Sequence, residues 1–417
     1  MLKMTTITYK TLYQIVFFLC VAIPFLNIYE LTFGVWSMTL FLSIVNKYSL
    51  DIIKLASCFV VILIVAFFSS FFNDEASYNF VRDIAYLLKP IIGLLLGYQL
   101  MRKFPDSFFS TIIISGVLVS VGHLFVVLLT FLNYHTLTAN ILRSHCGFFS
   151  DYEVYVIIIL IFHKKFDYKI TKQKLYVYGF LLITSTLLYV SRTNFVQFLV
   201  LFVGMKGYFK INKRSISVML LTIILVLAGY SAIYYSNPSR SGKSFEVFLF
   251  KIKNVPNEAF KTRVNSSDWK DFNDNYRSYE NITTVRQVTE DGLFSTICGK
   301  GLGASINLAQ EIITTDNTKV KHIPILHNGF STVFLKSGLI GVFFLILFLI
   351  LLIKNTKSSV DEVKTLNFLI IGSGVFLILS NWVFMGLYLK LDNKSILIGM
   401  FICYRELLLK NQQLKSI

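Results

Sequence analysis

The chain has 417 residues, of which 55% are hydrophobic, 16% aromatic and only 15% charged, with a mean hydropathy of +0.64. Soluble domains average about 25% charged residues, so this composition leaves too little polar surface for a water-exposed fold. The net charge of +17 does not point to nucleic acid, because Lys and Arg sit in short hydrophilic gaps between apolar blocks. No basic-aromatic patch or nucleic-acid fold signature accompanies them.

The apolar residues come in stretches of roughly 20, the length that crosses a hydrocarbon core. In chain order they lie near 11–28, 31–46, 52–72, 80–100, 108–132, 152–163, 175–191, 193–205 and 217–236. After a long gap they resume near 331–353, 365–386 and 395–404. The pattern predicts an all-α polytopic membrane protein of about a dozen transmembrane helices. It divides into an N-terminal membrane region (1–236), one long external loop (237–326) and a C-terminal membrane region (327–417). Pro24 and Pro90 are expected to kink or break their helices. No small-residue cleavage site follows the first block, which therefore reads as a retained helix.

Basic residues decide the sidedness. Lys3, Lys10, Lys47, Lys54, Arg102, Lys103, the runs Lys164–Lys174 and Lys206–Arg214, Lys354, Lys357, Lys364, Arg405, Lys410 and Lys415 fill one set of segments. The short loops of the opposite set hold only Arg143, Lys390 and Lys394. By the positive-inside rule both termini are cytoplasmic, and residues 237–326 lie outside, where a long loop escapes the charge bias. Phe245, Phe248, Phe250, Trp269 and Tyr279 favour an ordered loop near the membrane surface. The cysteines (Cys20, Cys58, Cys146, Cys298, Cys403) form no CxxC pair, so zinc has no support. Cys146 and Cys298 both fall on the outer side and could pair.

The segment from His327 to Gly341 closes the loop and enters the tenth block. On a continuous helix Gly338 and Gly341 lie about 20° and about 40° from His327, which puts the three on one face. Glycines there let a neighbouring helix approach closely and would fix the helix that presents His327. An interfacial histidine above an ordinary packing face fits these residues equally well. Upstream, Gly299-Lys300-Gly301-Leu302-Gly303 lacks the strand and the Gly-Lys-Ser/Thr ending of a P-loop and by itself reads as a flexible turn. Ser191-Arg192-Thr193 puts an arginine at the outer end of the seventh block, where it should face protein or a polar cavity, or snorkel to the interface. Arg82 and Lys89, seven apart, share a helix face and are expected to line a substrate cavity; Asp83 is poorly placed to pair with Arg82. Lys336 points away from His327 and is expected to snorkel or pair elsewhere.

These elements together resemble the O-antigen ligase and O-antigen polymerase superfamily. The likeness lies in His327-Asn328, nine residues, Gly338, two residues and Gly341, placed directly after a long external loop. It extends to the glycine-rich segment, to Arg192 in its Ser-Arg context, and to Tyr276-Arg277-Ser278-Tyr279-Glu280, for which Arg263 and Arg286 are rivals. Gly147-Phe148-Phe149-Ser150-Asp151 is similar to a further family segment, so the likeness spans residues 147–345 and the N-terminal third rests on hydropathy alone.

The resemblance implies a class-C, inverting, metal-independent glycosyltransferase of the bacterial inner membrane. Its donor would be an undecaprenyl-pyrophosphate-linked oligosaccharide. Arg192 and Arg277 would hold the pyrophosphate, which arginine suits bidentately, and His327 would be the base for the acceptor hydroxyl, since histidine is the side-chain type that titrates near neutral pH. Arg82, Lys89 and Asn328 would bind substrate, with Gly299, Gly301, Gly303, Gly338 and Gly341 as the structural motif. No Asp-x-Asp pair is present to hold a metal, and no cofactor is implied. The acceptor is a fresh lipid-linked repeat unit in a polymerase, the preferred reading, or lipid A core in a ligase. Besides the bilayer, a chain-length regulator protein is a candidate partner. A flippase would share the helices and the arginines but has no need of the external loop. Alkaline phosphatase fused at Ser267 is expected to be active in cells; an active β-galactosidase fusion there would overturn the topology.

Overall fold

The computed structural model describes residues 9–72, 77–147, 149–210, 213–242, 244–313, 319–354, 356 and 358–415. Lys3, Lys357 and Phe148 lie outside the described residues. Every apolar stretch becomes helix: α1 (Tyr9–Ala22), α2 (Tyr29–Leu42), α3 (Leu50–Ser69), α4 (Ser77–Lys103) and α5 (Phe108–Tyr134) lead to a short α6 (Ala139–His145). Then come α7 (Asp151–Ile161), α8 (Lys172–Leu188), α9 (Arg192–Met205) and α10 (Lys213–Ser236). Ser49, Thr138, Ser150 and Thr171 each accept a backbone N–H at the start of α3, α6, α7 and α8, satisfying a donor that a helix leaves unpaired at its first turn.

Residues 237–326 are not a loop in the geometric sense. They fold as α11 (Ser244–Lys253), α12 (Val255–Phe260), α13 (Trp269–Asp274), α14 (Tyr276–Glu290) and α15 (Leu293–Cys298). An antiparallel hairpin follows, β1 (Ile306–Ile313) against β2 (Lys319–Ile323), with Ile306 opposite Ile323 and Ile313 opposite Lys319. This two-stranded sheet is a small addition to a chain that is otherwise helical, in keeping with the all-α expectation. Ile306 and Leu308 alternate inward on β1 and join Phe272, Tyr279, Val288 and Leu335 in a small second core, the period-two pattern of a half-buried strand. The chain ends in α16 (Gly329–Ile353), α17 (Asp361–Phe384) and α18 (Lys394–Lys415).

Among the described residues, seven helical segments are long and apolar enough to cross a membrane: Tyr9–Leu26, Leu50–Phe72, Ser77–Lys103, Pro105–Tyr134, Ser215–Ser236, Gly329–Ile353 and Asp361–Phe384. The chain is therefore a predominantly helical, multi-pass membrane protein. α2, α7, α8 and α9 are shorter, between 11 and 17 residues, and α18 carries Lys394, Arg405, Glu406 and Lys410.

The centre of the bundle is α4, 78% of whose most apolar stretch is buried, whereas none of that of α10 is. α4 and α18 approach until a Cβ on Gly97 would collide with the Ile396 carbonyl, and one on Gly399 with that of Leu94. Such close backbone approach is how helices associate where no hydrophobic force separates lipid from protein. Pro24 ends α1 in a 3-10 turn, as expected, but Pro90 lies inside α4 without ending it; packing on nearly every side holds that helix together.

One joint fastens the segment 237–326 to the bundle through its backbone. Gly299, Gly301 and Gly303 all adopt positive φ (79°, 89° and 86°), a region open to glycine at little cost. A Cβ on Gly299 would strike the backbone of Ser337, and one on Gly301 the backbone of Ser70. The strip therefore threads between the end of α3 and α16, as a rigid wedge and not the flexible turn its glycines suggest. Lys300 N–H donates to the Leu335 carbonyl (2.8 Å) and Gly301 N–H to that of Lys336 (3.1 Å), while Leu302 N–H donates to the Ala66 carbonyl (3.2 Å).

α16 makes room by breaking: Ser337 and Gly338 leave helical geometry, Gly338 at φ 59° and ψ −156°. This corrects the one-face placement of His327, Gly338 and Gly341, which required an unbroken helix. Gly338 packs on the Ile297 and Gly299 backbone, and a Cβ on Gly341 would meet Ser337 of its own helix, not a neighbour. At the break Lys336 is buried and ion-paired with Asp83 (2.5 Å, both almost fully enclosed), and it also donates to the Ala304 carbonyl. Asp83 in turn accepts from Gly303 N–H (2.8 Å). Removing one partner of such a buried pair costs about 3–5 kcal/mol. Lys336→Met is expected to lower the unfolding midpoint of the purified protein, and Asp83→Asn in the same chain to recover part of the loss. An unchanged midpoint in the single variant would show that the pair does not secure the joint.

Candidate functional site

His327 immediately precedes Asn328, the residue that caps α16, and is held by α14. Its backbone N–H donates to Glu280 Oε2 (3.2 Å), and its ring Nδ1 lies 3.1 Å from Oε1 and 3.0 Å from Oε2 of the same carboxylate. A carboxylate accepts from an Nδ1–H, which leaves Nε2 as the ring nitrogen turned away from Glu280. Nε2 has no hydrogen-bond partner among the described residues. The burial suits this: the Glu280 side chain is only 1% exposed, while that of His327 is 53% exposed. Tyr276, one turn before Glu280 on the same face of α14, sets its ring edge-on to the imidazole at 5.8 Å. Burial, with Glu280 beside it, pushes the Tyr276 hydroxyl well above its usual pKa.

The same first turn of α14 carries Arg277, about 60° around the helix from Glu280. Arg277 Nη1 pairs with Glu258 Oε1 at 3.0 Å and its guanidinium lies over the Phe384 ring of α17 at 4.8 Å. Arg192, the first residue of α9, reaches the other oxygen of Glu258 at 3.8 Å and donates to the Lys251 carbonyl at the end of α11 (2.8 Å). Ser278 makes the meeting possible: its hydroxyl donates to the Asn257 and Glu258 carbonyls and accepts from Lys261 N–H, docking α12 on α14. Tyr279 Oη donates to the Leu308 carbonyl (2.6 Å) and Gln287 exchanges hydrogen bonds with Asn307, so α14 is fixed on β1 from its other side.

Two further cations adjoin the pair. Arg143 of α6 and Lys251 line a cavity of about 90 Å³ with Ala139, Val190, Gly242, Val247 and Phe248. Burial and the nearby Arg277 lower the Arg143 pKa; burial, Arg143 and Arg192 lower that of Lys251. A larger cavity, about 340 Å³, lies at the opposite ends of α3, α4 and α18 between Asp51, Arg102, Glu406 and Lys410. It holds none of the candidate residues.

The structure thus brings Arg192, Arg277 and His327 into one region and leaves the other sequence candidates elsewhere. Arg82 pairs with Asp83 after all (3.2 Å), because that carboxylate is turned to Lys336 and the joint. Lys89, expected to line a substrate cavity, is fully buried, donates to the Leu389 and Lys390 carbonyls (2.7 and 2.5 Å), and lies over Trp36 and Tyr29. Asn328 caps α16: its Oδ1 accepts from Phe330 and Ser331 N–H (2.9 and 3.2 Å). Cys146 and Cys298 are both free thiols, and Cys146 donates to the Thr130 hydroxyl. The sequence reading passed over Glu258 and Glu280. Glu280 stands three residues after Arg277 in the quoted segment, but nothing in one dimension sets it opposite His327. Among the described residues no cluster of His, Cys, Asp or Glu is arranged as a metal site.

No protein-family model matches the chain, and no curated protein sequence is significantly similar to it. The site therefore has to be read from its chemistry: a carboxylate-oriented imidazole with an open nitrogen, beside a group of cations that exceeds its acids. Asn328→Ala is expected to cost about 1 kcal/mol through the lost cap, seen as a lower unfolding midpoint with ligand affinity unchanged; a selective loss of affinity would restore Asn328 to the binding group.

Proposed function

We propose that this chain is a membrane glycosyltransferase that moves a glycan from a polyprenyl-diphosphate carrier to an acceptor hydroxyl. The single observation behind this reading is the base, His327 Nε2, facing out beside the Arg192–Arg277 pair. In the reaction the acceptor oxygen attacks the anomeric carbon and its proton passes to Nε2. The bond from that carbon to the diphosphate oxygen breaks, and its electron pair leaves with the diphosphate. One displacement inverts the anomeric centre. Glu280 steadies the imidazolium that forms, and the arginines meet the charge growing on the leaving group in a partly desolvated site, where such groups act most strongly.

The likeness of the His327–Gly341 segment to the O-antigen ligase and polymerase superfamily supports the same reaction class. On this reading an undecaprenyl-pyrophosphate-linked oligosaccharide is the donor and a lipid-linked repeat unit the acceptor, as in a polymerase, with lipid A core as the acceptor of the ligase alternative. α2, α7, α8, α9 and α18 complete about twelve crossings of the bacterial inner membrane, with both termini cytoplasmic and the site at the outer face, where the charge bias supports it.

His327→Ala is expected to reduce transfer by 10²–10⁴-fold, the usual worth of a general base, with protein level and donor binding retained. Glu280→Gln is expected to give a smaller fall in turnover. The measurement is elongation of a lipid-linked repeat unit per mole of folded protein; normal specific activity in His327→Ala would end the mechanism.

A further inference from the structure

The two arginines that the donor reading assigns to a diphosphate are already occupied by an acid of the chain itself. We infer that Glu258 sits in the seat of the substrate's anionic group, so that a diphosphate binds by exchange, displacing the Glu258 carboxylate from Arg192 and Arg277. The inference rests on the reading given above and deepens it.

Four features carry it. Glu258 bridges the two guanidinium groups with one oxygen each, at 3.0 Å to Arg277 and 3.8 Å to Arg192, the way two cations grip a bridging anion. Its hold on Arg192 is loose: that contact is 3.8 Å, against 3.0 Å to Arg277, and the three side chains remain between 21% and 25% exposed, open to a competing anion. The local charge is also unbalanced, since Arg143 and Lys251 adjoin the arginines. A single carboxylate cannot neutralise four cations. A diphosphate brings more negative charge and more acceptor oxygens, and arginine takes phosphate oxygens in pairs. Glu258 lies on α12, a helix of six residues docked on α14 through the Ser278 hydroxyl, so the carboxylate can withdraw without breaking the Glu280–His327 contact on the adjacent side of α14. The purpose of the exchange is electrostatic: the empty site keeps its arginines paired, and only an anion stronger than a carboxylate opens it.

The test uses purified full-length protein and inorganic pyrophosphate at constant ionic strength, with affinity measured by calorimetry. If the paired form is populated about nine parts in ten, removing the competitor tightens apparent affinity about tenfold. Glu258→Gln is therefore expected to bind pyrophosphate about tenfold more tightly than the unaltered protein, and Arg192→Ala to bind it more weakly. Equal or weaker binding by Glu258→Gln, with binding still lost in Arg192→Ala, overturns the exchange and leaves the anion site standing, with Glu258 as a strut. No binding by either the unaltered protein or Glu258→Gln overturns both the exchange and the donor reading. Should Glu258→Gln misfold, the unaltered protein decides: hydrogen exchange across 255–260 is expected to rise on adding pyrophosphate, and greater protection or no change there overturns the inference.

Discussion

The Lys336–Asp83 pair is the constraint on which the rest of the molecule depends. Two ionised groups are taken out of water in the middle of the bundle, and each repays the cost only while the other is present. Lys336 lies where α16 breaks, and Asp83 lies near the start of α4, the helix around which the bundle is packed. The glycine strip lies against the pair and donates Gly303 N–H to the same carboxylate. Ion pair, helix break and positive-φ glycines are thus one construction. It fixes where the external segment leaves the membrane region and, through α15 and the hairpin, where α14 stands.

From α14 outward the site is assembled from distant parts of the chain. Arg192 comes from the start of α9, Glu258 from α12, Arg277 and Glu280 from α14, and His327 from the entrance to α16. Each is set by hydrogen bonds that have no chemical role of their own: Ser278 to α12, Tyr279 and Gln287 to β1, Asn328 to the first turn of α16. α14 therefore works as a two-sided platform. One side orients the His327 imidazole through a buried carboxylate, and the adjacent side gathers cations. Glu280 and Arg277 belong to one turn of α14, so the carboxylate and the cation keep a fixed spacing along it.

Several charges that look like markers of sidedness turn out to be internal ties. Lys394 lies between Asp151 of α7 and Asp392 (3.0 Å), wholly buried. Arg405 reaches Asp51 of α3 (2.8 Å) and Asn367 of α17 (3.2 Å). Lys89 caps two carbonyls at the turn before α18. Such pairs satisfy donors and acceptors that lipid cannot, and each joins helices far apart in sequence.

What the sequence by itself determined is what depends on local periodicity and on residue type. Apolar stretches long enough to span a bilayer became helices because a backbone out of water must bond to itself. Pro24 ended α1, and the arginine and histidine types that suit an anion and a proton stood out at Arg192, Arg277 and His327. The tertiary structure alone decided the partners. His327 does not share a face with Gly338 and Gly341 because α16 is not straight, and its break at Ser337 answers to a strip of chain some thirty-five residues earlier in the sequence. Arg82, Lys89 and Asn328 carry the same chemical groups as true ligands, and only their surroundings assign them to an ion pair, a carbonyl clamp and a helix cap. Glu258 and Glu280 stayed invisible for the matching reason: a carboxylate's role is set by the cation or imidazole within about 3 Å of it, and in this chain that neighbour comes from another element.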